Sequence, residues 1–291
     1  MIFLSVIECR REYHVRMVII IYYVQPSLFF VTCIILMDNS VSHTAITPCI
    51  SVIIPTLQEE KLLEKTLRCF SPTLQQHYRL ELIISDGGST DNTLSIARQF
   101  TDNIIIHSKK ERQTIAEGRN AGAHHAQGKI LLFINADTII ENPEPFIRYI
   151  AQWAENPSPS SAALACSVHV LPSERTWSDA AFHGFFNNYI RFFVNVLGIG
   201  MGRGECQIIR ADVFHDLGGY NPTVSAGEDF DLFRRIAHHH KVHYAPELVV
   251  YESPRRFRKY GYIKLLWNWT INALAVMMTG KSIAKEWEPI R

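Results

Sequence analysis

Three ordered stretches of this chain each finish or begin on a carboxylate that their local pattern does not need. The run Leu80 to Ser85 feeds into Asp86, the apolar segment ILLFI at 130–134 stops at Asn135-Ala136-Asp137, and Glu228-Asp229 opens an amphipathic stretch soon after Gly218-Gly219-Tyr220. Carboxylates so placed suit two kinds of chemistry. One or two can hold a hard divalent cation, which takes oxygen ligands and tolerates an incomplete protein shell. One in a less polar setting can take a proton near neutral pH. Arg119, Arg203, Arg255 and Arg256 add guanidinium groups suited to carboxylate or phosphate. Each residue also has an ordinary use: an Asp or Glu caps a helix, a Glu in the first turn offsets the helix dipole, and an Arg makes a surface ion pair.

The elements that must carry these groups alternate. Ile50 to Ile54 reads as a buried strand closed by Pro55, with Thr56 just beyond. Gln58 to Phe70 has apolar residues at helical spacing, and Leu80 to Ser85 is a second strand. Asp86 to Thr93, with two glycines, is a tight loop leading into a helix over Thr93 to Phe100. Asn103 to His107 is a third strand, Thr114 to Ala126 a helix stopped by Gly128, and Ile130 onward the central strand. Asp229 to His239 reads as a later helix. Strands alternating with helices predict an α/β fold on a largely parallel, right-handed sheet, whose ligand crevice lies beyond the strand carboxyl ends. Asp86 and Asp137 fall at such ends.

The bulk properties limit the function classes. With 291 residues and an apolar fraction of 47%, the chain can bury one large core. Its formal net charge of +1 supplies no global field for a polyanion, so nucleic acid is not an expected partner. Six scattered cysteines without a CxxC pair read as free thiols.

Four segments, SVIIPTLQEE (51–60), SDGGSTDNT (85–93), GRNAGAHHAQGKILLFINAD (118–137) and ECQIIRADVFHDLGGYN…GEDFDLFRRI (205–236), resemble, in this order, the family 2 glycosyltransferases. The resemblance spans residues 49–252 and implies a GT-A-like, nucleotide-sugar-binding domain with a mixed, mostly parallel central sheet flanked by helices. It implies that Asp86 and Arg119 meet the base, that Glu59 or Glu60 meets the ribose, and that Thr56, Asn135 and Asp137 complete the donor site. Asp137 is then the ligand of a divalent metal, Mg²⁺ or Mn²⁺, with Asn135 standing where the family usually has Asp. Asp229 becomes the base that activates the acceptor hydroxyl, with inversion at the anomeric carbon. Glu228, Arg203, Arg255 and Arg256 become supporting or acceptor-side groups.

Residues 1–48 form an apolar extension in which Met17 to Met37 carries no charge and is long enough to span a bilayer as a helix. A membrane segment, a non-native extension ahead of Met37 and a buried helix remain open readings. At the other end, residues 253–291 join Arg255, Arg256, Arg258, Lys259 and Lys264 to Trp267, Trp269 and an apolar stretch, a pattern suited to in-plane membrane docking. The aromatic segment Phe182 to Leu197 reads as a helix lying on the membrane, lining an acceptor channel or filling the core. The histidines at 238–240 read as a helix end. The alternating glycines of GIGMGRG lack a dinucleotide-site context and read as a mobile acceptor-side loop.

The expected activity is metal-dependent, inverting transfer of a sugar from a UDP- or GDP-sugar to a glycan or lipid-linked acceptor at a membrane surface, with the catalytic domain cytoplasmic. The competing readings are a nucleotidyltransferase of the same architecture and a catalytically silent nucleotide-sugar-binding scaffold.

Overall fold

A computed structural model describes residues 6–9, 16–23, 29–36, 49–155 and 161–283. The chain divides into two units, Met1–Ile46 and Thr47–Arg291. In the first, β1 (Val6–Cys9), β2 (Arg16–Tyr23) and β3 (Phe29–Leu36) form an antiparallel sheet in that order. Arg16 pairs with Leu36 and Tyr23 with Phe29. The stretch that reads as a spanning helix is thus extended where it is described, in keeping with its β-branched and aromatic residues. Among the described residues no helix is long and apolar enough to cross a membrane. The end of the extension, residues 37–48, lies outside the described residues.

The second unit is an α/β domain on an eight-stranded sheet. Its first half carries β4 (Ile50–Thr56), α1 (Leu63–Leu67), α2 (Pro72–Tyr78), β5 (Leu80–Asp86), α3 (Thr93–Ala97), β6 (Ile104–Ile106), α4 (Ile115–His125) and β7 (Ile130–Ile134). There follow β8 (Ile139–Ile140), α5 (Pro143–Glu155), β9 (Ser161–Val170), α6 (Trp177–Asn195), β10 (Cys206–Arg210), α7 (Ala211–Asp216), α8 (Glu228–Ala237), β11 (Lys241–Glu252), α9 (Arg255–Tyr260) and α10 (Tyr262–Thr279). The strand order is β6-β5-β4-β7-β10-β9-β11-β8. The pairs β4–β5, β5–β6, β4–β7 and β9–β11 are parallel, whereas β10 runs antiparallel to both β7 and β9, and β8 antiparallel to β11. The sheet is therefore mixed and mostly parallel. Its purely alternating βαβ character ends at β7.

The central strands are apolar on both faces because both are covered. Ile50, Val52 and Ile54 of β4, with Ile130, Leu132 and Ile134 of β7, face the layer holding α1 and α5. Ile53, Leu131 and Phe133 face the other layer, with α4, α7 and α8. Each such side chain, fully removed from water, contributes about 1.5–3 kcal/mol. Small residues on α4 let it sit close to the sheet: a Cβ on Gly122 would come within 2.4 Å of Ile53 Cγ2. The helix begins with a reciprocal cap between Thr114 and Glu117. Only Leu63–Leu67 of the helix read at Gln58 to Phe70 is regular α-helix, since Gln58 adopts a left-handed backbone (φ 57°) and its neighbours bond to the loop after β5. Helix α6 starts earlier than the aromatic run, capped at Thr176 by Asp179.

Candidate active site

The carboxyl ends of β4, β5 and β7 open onto a cleft of about 420 Å³. Its near wall comes from the loops after β4 and β5, including Thr56, Glu59, Ser85 and Gly87, and from Arg112, Gln113 and Gly118 around the start of α4. Its floor is Asn135, Ala136 and Asp137, and its far wall holds Glu205, Ser225, Glu252, Ser253, Arg255 and Arg256.

Asp86 holds the near wall together from beneath and is fully buried. Thr56 Oγ1 donates to its Oδ2 at 2.8 Å, Gly88 N–H and Ser89 N–H donate to its Oδ1 at 2.9 and 2.7 Å, and the Ser89 hydroxyl donates to Oδ2 at 2.7 Å. Hydrogen bonds to charged groups contribute about 1.5–3 kcal/mol each, so this carboxylate organises the loop. Further bonds tie the two loops together: Gln58 N–H to Ser89 Oγ at 2.8 Å and Glu59 N–H to Thr93 Oγ1 at 2.8 Å.

Arg119 is likewise buried, and it joins three elements. Its Nη1 is 2.8 Å from Glu228 Oε1, its Nη2 donates to Asn135 Oδ1 at 3.0 Å and to the Gly204 carbonyl at 2.6 Å, and its guanidinium lies 5.2 Å from the Tyr220 ring centre. Arg119 and Glu228 line no part of the cleft; they connect its floor at Asn135 to the first turn of α8. Asp229, half-buried, sits beside this group. A Cβ on Gly204 would stand 3.3 Å from Asp229 Oδ2 and 3.4 Å from Arg119 Nη2, so a bare backbone is what brings that loop onto the pair. Burial, reinforced by the neighbouring Glu228 carboxylate and opposed by Arg119, pushes the Asp229 carboxyl up to about 7.

Gly200 and Gly202 have a related explanation, whereas Gly198, with a left-handed backbone (φ 68°), has open space at its Cβ position. A Cβ on Gly200 would collide with the Phe233 carbonyl, and one on Gly202 would come within 2.7 Å of the Phe233 ring. The segment read as a mobile loop packs tightly on α8.

Arg203 does not reach the cleft either. It is buried between Glu205, at 3.2 and 3.3 Å, and Glu252, with His183 Nδ1 3.3 Å away. Both glutamates line the cleft. Burial acts to raise the Glu205 carboxyl, but the Arg203 charge outweighs it and the group lies below its usual range. Burial and the Glu205 charge hold Glu252 well above its own. Burial, then Arg203, pushes His183 down to about 3, so its ring is neutral. Sequence reading missed Glu205 and Glu252; Glu205 follows the glycine loop directly and Glu252 ends a strand, the same signal that marked Asp86.

Asp137 opens into the cleft, and Arg255 Nη2 donates to its Oδ2 at 2.8 Å while standing 3.9 Å from Glu59 Oε2. Arg255 Nε also donates to Ser253 Oγ at 3.1 Å. The Asp137 carboxylate and the Asn135 amide oxygen are hard oxygen ligands of the kind a divalent ion takes, although Asp137 is paired with Arg255. Among the described residues no group of three or more His, Cys, Asp or Glu could hold a metal. Asp137, with the Asn135 amide nearby, could give a hard cation only part of its oxygen shell, so phosphate oxygens would have to supply the rest. Of the residues selected from sequence, Thr56, Glu59, Asn135, Asp137, Arg255 and Arg256 line one cleft, while Asp86, Arg119, Arg203 and Glu228 brace its walls and Asp229 adjoins the brace.

Comparison with known proteins accords with this architecture. Validoxylamine A glucosyltransferase of Streptomyces hygroscopicus subsp. limoneus is 28% identical over 133 residues, 45% of this chain and 28% of that protein. A PGL/p-HBAD biosynthesis glycosyltransferase of Mycobacterium bovis is 37% identical over 113 residues, 38% of this chain and 43% of that protein. The chain thus spans less than half the length of these curated relatives. The mannosyltransferase PcManGT of Pyrobaculum calidifontis, solved with GDP-Man and Mn²⁺, superposes with a TM-score of 0.58 at 22% identity, covering 81% of this chain and 66% of that one, and so shares the fold. The family model described as Glycosyl transferase family 2 matches residues 51–218. That match takes in the loops after β4 and β5, the cleft floor and Arg119 with its partners Asn135 and Gly204, and the chain belongs to glycosyl transferase family 2.

Proposed function

We propose that this glycosyltransferase moves a sugar from a UDP- or GDP-sugar to a glycan or lipid-linked acceptor at a membrane surface, with inversion and with a divalent cation, Mg²⁺ or Mn²⁺. The observation that carries the reading is the floor of the cleft, where Asp137 meets Arg255, with Arg112 and Arg256 on the walls of the same cleft. Such a floor suits a group that is itself anionic and partly neutralised by a hard cation, as a diphosphate is.

In this reading the nucleoside lies along the near wall, against Thr56, Glu59 and the backbone of Ser85 and Gly87. The Asp86 carboxylate acts through the loop it organises. Asp137, with Asn135 beside it, would hold the metal, which when bound offsets the charge developing on the departing diphosphate. Asp229 takes the acceptor proton as the hydroxyl attacks. Its carboxyl, pushed up to about 7 by burial and Glu228, is poised for proton transfer near neutral pH. The Glu228 and Arg119 charges act on it from beside it in opposite directions. Arg203 sets the orientation of Glu205 and Glu252 at the end of the cleft beyond the diphosphate.

The membrane part of the reading rests on two neighbouring helices. Phe182 stacks near Tyr262 and Phe186 near Trp269, which sets α6 beside α10. Along α6, Trp177, Phe185, Phe192 and Val196 are exposed, and along α10, Ile263, Trp267, Leu274 and Met278. Exposure reaches 85% at Trp177 and 87% at Ile263, and large apolar side chains left in water along neighbouring helices suit an interaction surface. Arg258 and Lys259 of the short α9 and Lys264 of α10 are close to it in sequence, and Pro254, Arg255, Arg258 and Lys259 at α9 line a basic groove with Glu174. An in-plane helix pair with basic edges suits an anionic lipid surface and an acceptor embedded in it.

Thermal-shift titration of UDP and GDP with and without Mn²⁺ or Mg²⁺, followed by assay of nucleotide release from the matching sugar donor, tests the proposal. Metal-dependent stabilisation with acceptor-stimulated release is the expected result. Binding without any transfer to glycan or lipid acceptors would leave a silent scaffold.

A further inference from the structure

The contact between Arg255 and Asp137 has a consequence for how the donor and its metal arrive. Arg255 opens α9, two positions after Ser253, whose hydroxyl accepts from its Nε at 3.1 Å. One guanidinium nitrogen then faces two carboxylates, Asp137 at 2.8 Å and Glu59 at 3.9 Å. Asp137 is the one carboxylate on the cleft floor between Asn135 and the far wall, and its charge is met by a protein cation. A divalent ion entering alone has to compete with that guanidinium for the same oxygens, and among the described residues no further cluster of carboxylates or imidazoles offers it compensation. A nucleoside diphosphate changes the balance. Its phosphate oxygens supply the metal's remaining ligands and also give a planar guanidinium a bidentate partner.

Building on the donor site proposed above, we propose that Arg255 is the resident counter-charge of Asp137. Donor binding hands Asp137 from Arg255 to the divalent ion while the guanidinium turns to the diphosphate. Metal and nucleotide then bind as a coupled pair, each weak without the other. Arg255 is in this respect a positioning residue for the donor, and its effect reads out in binding without turnover.

The experiment is Mn²⁺ titration of the full chain followed by electron paramagnetic resonance of free Mn²⁺, with and without UDP or GDP, in wild type and Arg255→Gln. The expected result has opposite signs. Relative to wild type, Arg255→Gln binds Mn²⁺ alone about tenfold more tightly and the Mn²⁺–nucleotide pair about tenfold more weakly, the scale on which groups around a metal ligand act. Asp137→Asn provides a second reading that does not depend on the first variant folding: with Arg255 released, the nucleotide without metal should bind more tightly than it does to wild type. Unchanged or weaker binding of Mn²⁺ alone to Arg255→Gln overturns the hand-off while leaving the donor site intact. Wild-type nucleotide binding that is equal in EDTA also overturns it, since Arg255 would then serve as the cation itself. If wild type binds neither nucleotide in the presence of Mn²⁺, the donor-site reading fails and the hand-off with it.

Discussion

Arg119 Nη1 and Glu228 Oε1, 109 positions apart in the chain, stand 2.8 Å from each other in the interior. The pair links the helix after β6 to the first turn of α8, so the two halves of the site share one buried charge. Removing a single partner of such a pair costs about 3–5 kcal/mol, because the other charge is left buried without compensation. Arg119→Met and Glu228→Gln should each lower the urea midpoint strongly. A double Met/Met variant should recover part of the loss, whereas two independent surface contacts would give additive losses.

Asp229 ties stability to pH in the opposite direction from most carboxylates. Its folded value of about 7 lies above the ordinary aspartate value of 3.8. Between those values the folded chain keeps a proton that the unfolded chain has lost. The stability associated with it is complete below about pH 4, declines as pH rises through 7, and is level above. Asp229→Asn should therefore be more stable than wild type at pH 8, by about 2–4 kcal/mol, and comparable to it at pH 4. In the proposed mechanism the same substitution stops transfer while leaving donor binding intact, and wild-type kcat rises with pH towards a plateau above 7. Chemical denaturation at the two pH values and a pH–rate profile check these outcomes separately.

Asp137→Ala removes the carboxylate on the cleft floor. Metal-dependent nucleotide binding should disappear, while the thermal midpoint without ligand changes by less than about 1 kcal/mol in equivalent stability, because the lost Arg255 contact is partly solvated. Calorimetric titration with Mn²⁺ and UDP or GDP measures the first effect, and a ligand-free melt the second.

Asp179 anchors α6 to the C-terminal helices. It caps α6 through Thr176, meets Arg258 at 2.8 Å and accepts from the Tyr262 hydroxyl. Burial acts against its ionisation, but these hydrogen bonds outweigh it and hold the carboxyl at about 2. Its contribution is present above about pH 4 and lost as pH falls towards 2, worth about 2 kcal/mol at neutral pH. Asp179→Ala should cost about that much or more at pH 7 and much less near pH 2, as read by denaturant midpoints.

If α6 and α10 together rest on lipid, Phe192→Ser combined with Trp267→Ser should reduce co-sedimentation with anionic vesicles by at least about tenfold, given 1.5–3 kcal/mol for each large apolar side chain buried. High salt should weaken wild-type binding as well, through the basic border. Neutral vesicles and the oligomeric state in solution provide the comparison: a patch that pairs copies of this chain would change the oligomeric state and leave vesicle binding alone.

Much of the site could be read from local pattern. Asp86 and Asp137 stand at the ends of apolar strands, and a strand end is visible in one short window. What escaped depends on long-range pairing. Arg203 and Glu205 are near neighbours in the chain, but their meaning comes from Glu252 and His183, which reach them from separate elements, and no spacing rule relates those four. Arg119 and Arg203 were noticed for their charge, but sequence gives no sign that both would be buried and satisfied internally. The glycines of GIGMGRG misled for a related reason. Alternating small residues look like a loose loop until the α8 backbone that demands them is in place. The mixed sheet was legible only as far as β7, because an antiparallel strand such as β10 carries the same apolar signature as a parallel one.

Strand β10 fills the position between β7 and β9, although both neighbours precede it in the chain. On the ribosome, β7 and β9 therefore emerge with facing edges unpaired, and the residues of α6 must be made before the strand that joins them appears. At synthesis rates of about 5–20 residues per second the gap lasts for several seconds. Open edges of this kind attract other strands, so this family member is most exposed to misassembly while nascent, in the interval before Cys206–Arg210 leaves the exit tunnel.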